Sequence, residues 1–199
     1  MEKYVDAIKQ LKLMGIKVIL ATGVKDEVAR KIALRTGILA EKHQNICGAL
    51  IHGKDLKKIY FGADSAQSFQ ITPEYLSVVC RASLDDRAML VDYLSRFNPG
   101  RSSTNSPYGF GSDTPRAIVA ALGSGDNDVK MLKKAKVSFS TNLQAHHDAK
   151  EAADIILMTN QLEDVVICVA MGREYKDHFM KLIMLQLPCS VTAVALIIA

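Results

Sequence analysis

Residues 121–128 read ALGSGDND and follow the apolar run Ala117-Ile118-Val119-Ala120. A buried-looking strand thus runs into two glycines and then into two carboxylates flanking an amide. Glycine lets a backbone turn sharply and come close to a ligand, and open α/β sheets place their chemistry at the carboxyl ends of strands. The stretch reads as the end of a strand and part of a site.

The same strand-then-helix pattern recurs on both sides of it. Residues 4–14 place Val5, Ile8 and Leu11 on one helical face, and Gly15 ends that helix. KVILATG (17–23) is a β-branched run stopped by Thr22-Gly23, and Asp26 to Thr36 has helical spacing through Val28, Ile32 and Leu34, closed by Gly37. SVVCRA (77–82) repeats the strand signal, and Leu84 to Phe97 repeats the helix signal through Leu84, Ala88, Val91 and Leu94. After the third strand, Asn127 to Ala135 forms a third helix. KVSFS (136–140) and DIILM (154–158) follow as strands, then a helix from about Leu162 that can continue to the chain's end. Strands alternating with helices of this size predict a parallel sheet with helices on both faces. Residues 98–115, rich in Gly, Pro, Ser and Asn, form a loop, and residues 40–72 give only weak strand and turn signals.

With 199 residues the chain supplies one domain of ordinary size. The net charge of +4 is mild, and the basic residues are scattered among acids, so nucleic acid is not an expected partner. Cys47, Cys80, Cys168 and Cys189 are far apart with no C-x-x-C spacing, so neither a disulfide framework nor a zinc site is expected from them. MEKYVDAIKQ carries charges throughout, so no secretory signal is expected there. The 18 residues from Leu182 to Ala199 carry no charge, which meets the length of a membrane-spanning helix. Arg173, Lys176 and Lys181 precede that run, an arrangement that assigns residues 1 to about 178 to the cytosol. A buried C-terminal helix is the alternative. Gln186, Pro188 and Ser190 interrupt the run, and in lipid such residues face other helices or a pathway.

Six blocks in order resemble the phosphorylation domain of calcium-transporting P-type ATPases, the plasma-membrane type in particular, within the haloacid dehalogenase-like superfamily. AIKQLKLMGIKVILATG is similar to that family's helix and strand ending in T-G-D. ARKIALRTGI (29–38) resembles A-R-x-I-A-x-x-x-G-I, and RASLDDR (81–87) resembles R-x-S-x-x-D-K. LGSGDNDVKMLKKA resembles the hinge motif T-G-D-G-x-N-D followed by L-K-K-A. AKEAADIIL (149–157) and GREYKDHFMKLIMLQL match the family's later segments, the last leading into its fifth transmembrane helix. The resemblance implies a Rossmannoid parallel sheet over residues 1–175 and the start of a transmembrane helix over 176–199.

It also implies roles. Thr22, Gly23 and Arg87 fall at phosphate-binding positions, while Gly123, Gly125, Asn127 and Asp128 fall in the hinge motif, with Asp128 a Mg²⁺ ligand. ATP and Mg²⁺ are the cofactors of that chemistry, and the partners are a membrane and an intact pump or its remaining domains. Several parts depart from the pattern. D-K-T-G-T, which carries the phosphorylated aspartate, does not occur in this sequence. Val24 stands for the aspartate of T-G-D, Arg87 for a lysine, and Ser124 for a Mg²⁺-binding aspartate. A neutral hydroxyl is a poor partner for a hard dication, so Asp126 is the candidate to compensate. Ser190 falls where the family carries an ion-coordinating asparagine. The leading expectation is therefore a fragment or degenerate member that does not catalyse alone. The alternatives are a membrane-tethered binding or regulatory domain and a haloacid dehalogenase-like phosphatase.

Other polar clusters have plainer readings. His146-His147-Asp148 reads as a solvated loop, Asp85-Asp86 as first-turn acids favourable to a helix dipole, and Lys130, Lys133 and Lys134 as a wet helix face. Met180 and Met184 read as packing residues.

Overall fold

The computed structural model describes residues 2–39, 48–61, 75–96, 117–143, 145–159 and 161–198. The loop expected over 98–115, Cys47 and much of the 40–72 region lie outside the described residues. In chain order the elements are α1 (Glu2–Leu13), β1 (Leu20–Ala21), α2 (Asp26–Arg35), β2 (Leu50–His52), α3 (Gly53–Phe61), β3 (Val78–Cys80) and α4 (Leu84–Arg96). Then come β4 (Ala120–Gly123), α5 (Val129–Lys134), β5 (Val137–Thr141), α6 (His147–Glu151), β6 (Ile155–Leu157) and α7 (Glu163–Ile198).

All strand pairs are parallel, as the alternating pattern requires, with helices on both sides. Among the described residues the ladders form two three-stranded sheets, in the orders β1-β3-β2 and β4-β5-β6. β1 and β4 each stand at an edge. This explains why the run 17–23 yields only a two-residue strand. Among the described residues its single partner is β3, reached through Leu20 N–H to the Ser77 carbonyl at 3.0 Å and Thr22 N–H to the Val79 carbonyl at 2.9 Å. The halves are joined by α4. Its Leu90 packs with Ile51, Leu56, Leu76 and Val79 under the first sheet, while its Val91 packs with Ala121, Met131 and Leu132 under the second.

Helix ends follow local chemistry. At the end of α1, Gly15 takes φ +75°, where only glycine sits without strain, and Ile16 N–H reaches back to the Leu11 carbonyl at 3.0 Å. On α2 the buried side chains are Ala29 and Ala33, whereas the expected face residues Val28 and Ile32 stay 48% and 38% exposed. Two alanines let the helix lie close on the sheet and turn its larger residues outward.

β2 and α3 were not legible in the sequence. The strand has three residues, and in α3 Lys54, Asp55, Lys57 and Lys58 surround the buried Leu56, so the apolar spacing through Leu56, Ile59 and Tyr60 fills little more than one turn. Gly53 opens α3 under tight constraint: a Cβ there would lie 2.6 Å from Asp86 Oδ2 and 3.0 Å from the Arg81 carbonyl oxygen. Asp86 sits in the first turn of α4 as expected but is almost fully buried. Its Oδ2 accepts the Ser83 N–H at 2.9 Å, its own N–H meets Ser83 Oγ at 3.4 Å, and Lys57 Nζ lies 3.1 Å from Oδ1. That is a capping box reinforced by an ion pair.

α7 runs unbroken from Glu163 to Ile198, as the sequence suggested. Its base is docked: Val166 packs with Ala7 and Leu11 of α1, and Arg173 Nη2 donates to the Met14 carbonyl at 2.6 Å. Its apolar stretch, mean hydropathy 1.8, is not buried against the rest of the chain. This is one helix long and apolar enough to cross a membrane.

Burial is the largest influence on the Asp86 carboxyl and pushes its pKa up, but the Ser83 hydrogen bonds and Lys57 together hold it below the ordinary 3.8. Its stabilising effect is therefore complete above about pH 3.8 and is lost as pH falls through the lower folded-state value. Asp86→Ala is expected to destabilise the chain by about 1–3 kcal/mol near neutral pH in urea unfolding. The loss should shrink as unfolding is measured below about pH 4, the ordinary carboxyl range.

Candidate functional site

The turn after β4 closes on itself. Asp128 folds its carboxylate back so that Oδ2 accepts the N–H groups of Ser124 and Gly125, each at 3.3 Å. Gly123 is needed for that closure, because a Cβ there would stand 2.5 Å from Asp128 Cβ. The other oxygen of Asp128, Oδ1, is ion-paired with Arg87 Nη1 in a contact largely withdrawn from solvent, the two side chains being 19% and 15% exposed. Arg87 comes from the first turns of α4, and its Nη2 lies 3.8 Å from the position a Cβ on Gly23 would take. The guanidinium thus spans the carboxyl ends of the edge strands β1 and β4.

Of the residues singled out in the sequence, the structure gathers Gly23, Arg87, Gly123, Gly125 and Asp128 here. Thr22 precedes Gly23 with its hydroxyl 3.4 Å from the Val24 N–H and its carbonyl accepting Ala82 N–H at 3.0 Å. Asn127 is exposed on the 3-10 turn Asp126–Asp128. Asp126 turns elsewhere: its Oδ1 pairs with His146 Nδ1 at 3.2 Å. His146 stands at the start of α6, so the expected His-His-Asp loop is a short helix with solvated histidines. Lys130 reaches across to Asp85 at 2.8 Å. Ser190 lies in α7, its hydroxyl donating to the Gln186 carbonyl at 2.9 Å.

This arrangement suits an anion. Arg87 Nε is buried without a hydrogen-bond partner among the described residues, so the guanidinium keeps an unsatisfied donor beside the strand ends. It does not suit Mg²⁺. Asp128 presents one oxygen to a guanidinium and the other to two amides, Ser124 supplies no charge, and the Asp126 carboxylate faces His146. A near-octahedral shell of hard oxygens has no free carboxylate here to build on.

A second cluster lies at the carboxyl ends of the first sheet, and sequence reasoning missed it. His52 closes β2, Cys80 closes β3 and Asp26 opens α2 beside the end of β1. His52 Nε2 is 3.3 Å from Asp26 Oδ2, and its Nδ1 is 3.6 Å from Cys80 Sγ. Arg81, whose φ is +48°, places Nε 3.2 Å from Asp26 Oδ1. Desolvation, then the hydrogen bond to Asp26, pushes the Cys80 thiol up to about 11. The signal was available in part, since Cys80 closes the apolar run 77–82 and Asp26 opens the helix after the run 17–23.

A haloacid dehalogenase-like hydrolase family matches residues 112–169. The catalytic domain of the CPx-ATPase CopB-B superposes on 83% of this chain and 44% of its own with a TM-score of 0.50, at 16% sequence identity. The fold is therefore haloacid dehalogenase-like. Within that class the chain is a relative of the calcium-transporting P-type ATPases. It is 32% identical over 193 residues to human plasma membrane calcium-transporting ATPase 4, a match covering 95% of this chain and 14% of that protein. Human plasma membrane calcium-transporting ATPase 1 is 33% identical over 95% of the chain, again 14% of the relative. Calcium-transporting ATPase 2 of Schizosaccharomyces pombe is 30% identical over 96% of the chain and 13% of the relative. The chain thus spans about one-seventh of the length of these curated relatives.

Two substitutions probe the site's closure. Gly123→Ala should cost about 1–3 kcal/mol, because the added methyl displaces Asp128. Arg87→Met should cost about 2–4 kcal/mol by leaving Asp128 without its cation, somewhat below a fully buried pair because two amides still hold the carboxylate. Both are read by denaturant unfolding, and a neutral Gly123→Ala would show that the turn relaxes freely.

Proposed function

We propose that this chain is the later part of the phosphorylation domain of a plasma-membrane-type calcium-transporting P-type ATPase, joined to the start of a membrane helix, and that alone it cannot carry out phosphoryl transfer. In this reading residues 1–175 form the domain and face the cytosol to about residue 178. Residues from 176 enter the membrane, and the partners are an intact pump or its remaining domains. The observation that carries the proposal is Arg87 seated on Asp128, with a neutral Ser124 beside them. Phosphoryl transfer to a protein carboxylate needs a nucleophilic aspartate and a cation that offsets charge developing on the phosphoryl oxygens. The sequence carries no D-K-T-G-T, and Arg87 takes the carboxylate a magnesium ion would need.

What this chain's own residues do in that reading is hold an anion. The backbone at Gly23 is open to close approach, the Thr22 hydroxyl stands next to it, and Arg87 contributes the fixed charge and its unused Nε donor. An arginine presents a planar fork where a lysine presents a compact ammonium, so it favours two oxygens of one phosphoryl group.

Incubation of the full chain in detergent micelles with terminally labelled ATP and magnesium tests the catalytic half of the proposal. No acyl-phosphate should be trapped by acid quench, and labelled phosphate on this chain would overturn it. Inorganic phosphate is expected to raise the melting temperature of the wild-type chain and not that of Arg87→Met. Membranes carrying the chain, washed with alkaline carbonate, should retain it; release to the supernatant would remove the membrane helix from the proposal.

A further inference from the structure

The cluster at the ends of β2, β3 and β1 has a composition that the anion site does not explain. Asp26, His52 and Cys80 offer one oxygen, one nitrogen and one sulfur, and these atoms all lie within 4.8 Å of one another. Tetrahedral zinc, with bonds of about 2.0–2.3 Å, sets neighbouring ligand atoms roughly 3.3–3.8 Å apart. His52 lies 3.3 Å from Asp26 Oδ2 through Nε2 and 3.6 Å from Cys80 Sγ through Nδ1, so the three side chains need only a small closure and a turn of the ring to place one nitrogen, the oxygen and the sulfur at that spacing. We infer that Asp26, His52 and Cys80 form a zinc-class metal site with three protein ligands and a fourth position open to solvent.

The supporting geometry is in place. Cys80 closes the cluster on the protein side and is fully buried, while Asp26 and His52 are 34% and 40% exposed at the side chain and leave an approach from solvent. Arg81 Nε holds Asp26 Oδ1 at 3.2 Å, so the other carboxylate oxygen is presented toward the histidine. A hydrogen-bonded outer partner of this kind orients a ligating carboxylate. The imidazole presents opposite nitrogens to its two neighbours, so a turn of the ring about its Cβ–Cγ bond brings one nitrogen to the metal. Binding displaces the Cys80 thiol proton to solvent, and the thiolate, the carboxylate and a neutral imidazole complete the set without any redox change. A thiolate and an imidazole select zinc or cobalt over magnesium or calcium. The ion would tie the ends of β2 and β3 to the start of α2, one ligand from each.

Cobalt(II) reports directly on thiolate ligation. The metal-free full chain in detergent micelles, titrated with cobalt, should take one equivalent with a sulfur-to-cobalt absorption band that zinc then displaces. Changing Cys47, Cys168 and Cys189 together to serine should leave the band intact. Cys80→Ser should abolish it, and Asp26→Asn or His52→Gln should weaken binding at least tenfold. A wild-type chain with no band overturns the site, as does a band that survives in Cys80→Ser or disappears in the triple variant. Should Cys80→Ser fail to fold, as read by far-ultraviolet circular dichroism, Asp26→Asn at its partly exposed position decides the matter. Undiminished cobalt affinity there rejects the inference.

Discussion

One ion pair holds the middle of this molecule together. Arg87 on α4 meets Asp128 at the end of the turn that follows β4, and Asp128 in turn is fastened by the amides of Ser124 and Gly125. Because β1 and β4 share no ladder among the described residues, the two half-sheets depend on α4 and on this contact to keep their carboxyl ends facing one place. The pair is withdrawn from water, where removal of either partner leaves the other costly to bury. Its geometry also sets the chemistry. By occupying Asp128 the guanidinium leaves that carboxylate unavailable to a hard dication.

Much of the fold was legible because its signals are periodic. The runs around Val78-Val79, Val119–Leu122 and Val137–Phe139 are apolar enough to be strands, and α1, α4 and α7 carry helical spacing or length that no strand sustains. The turn at 121–128 was legible as a candidate site because its glycines and carboxylates follow directly on an apolar strand, where open α/β sheets place their chemistry. β2 and α3 escaped because a three-residue strand and a nine-residue helix rich in lysine give too little repetition to see. The outward turn of Val28 and Ile32 was invisible for a related reason: spacing finds a face but cannot say that a neighbouring pair of alanines will be chosen for contact.

The site was legible in its members more than in its connections. Thr22, Gly23, Arg87 and Asp128 could be named from order along the chain, whereas the seating of Arg87 on Asp128 spans 41 residues and exists only once α4 and α5 pack. The same limit applies to Asp26, His52 and Cys80. Cysteine spacing along the sequence says nothing of such a cluster, because a parallel sheet brings residues far apart in the chain to one edge. Asp126 is the converse case. Proximity to Asp128 in sequence suggested a shared role, and the tight turn sends its carboxylate to His146.

The docking of α7 carries a mechanical consequence. At about 1.5 Å per residue the helix is roughly 54 Å long, and the part ahead of Pro188 spans nearly 40 Å. Its root is clamped at Val166 and Arg173 against α1, so tilting the α/β body by about 10° sweeps the far end of that shaft through some 6–7 Å, by the geometry of a rigid helix. Small rotations of the α/β body are thereby delivered as large excursions at the apolar end, with leverage set by helix length alone.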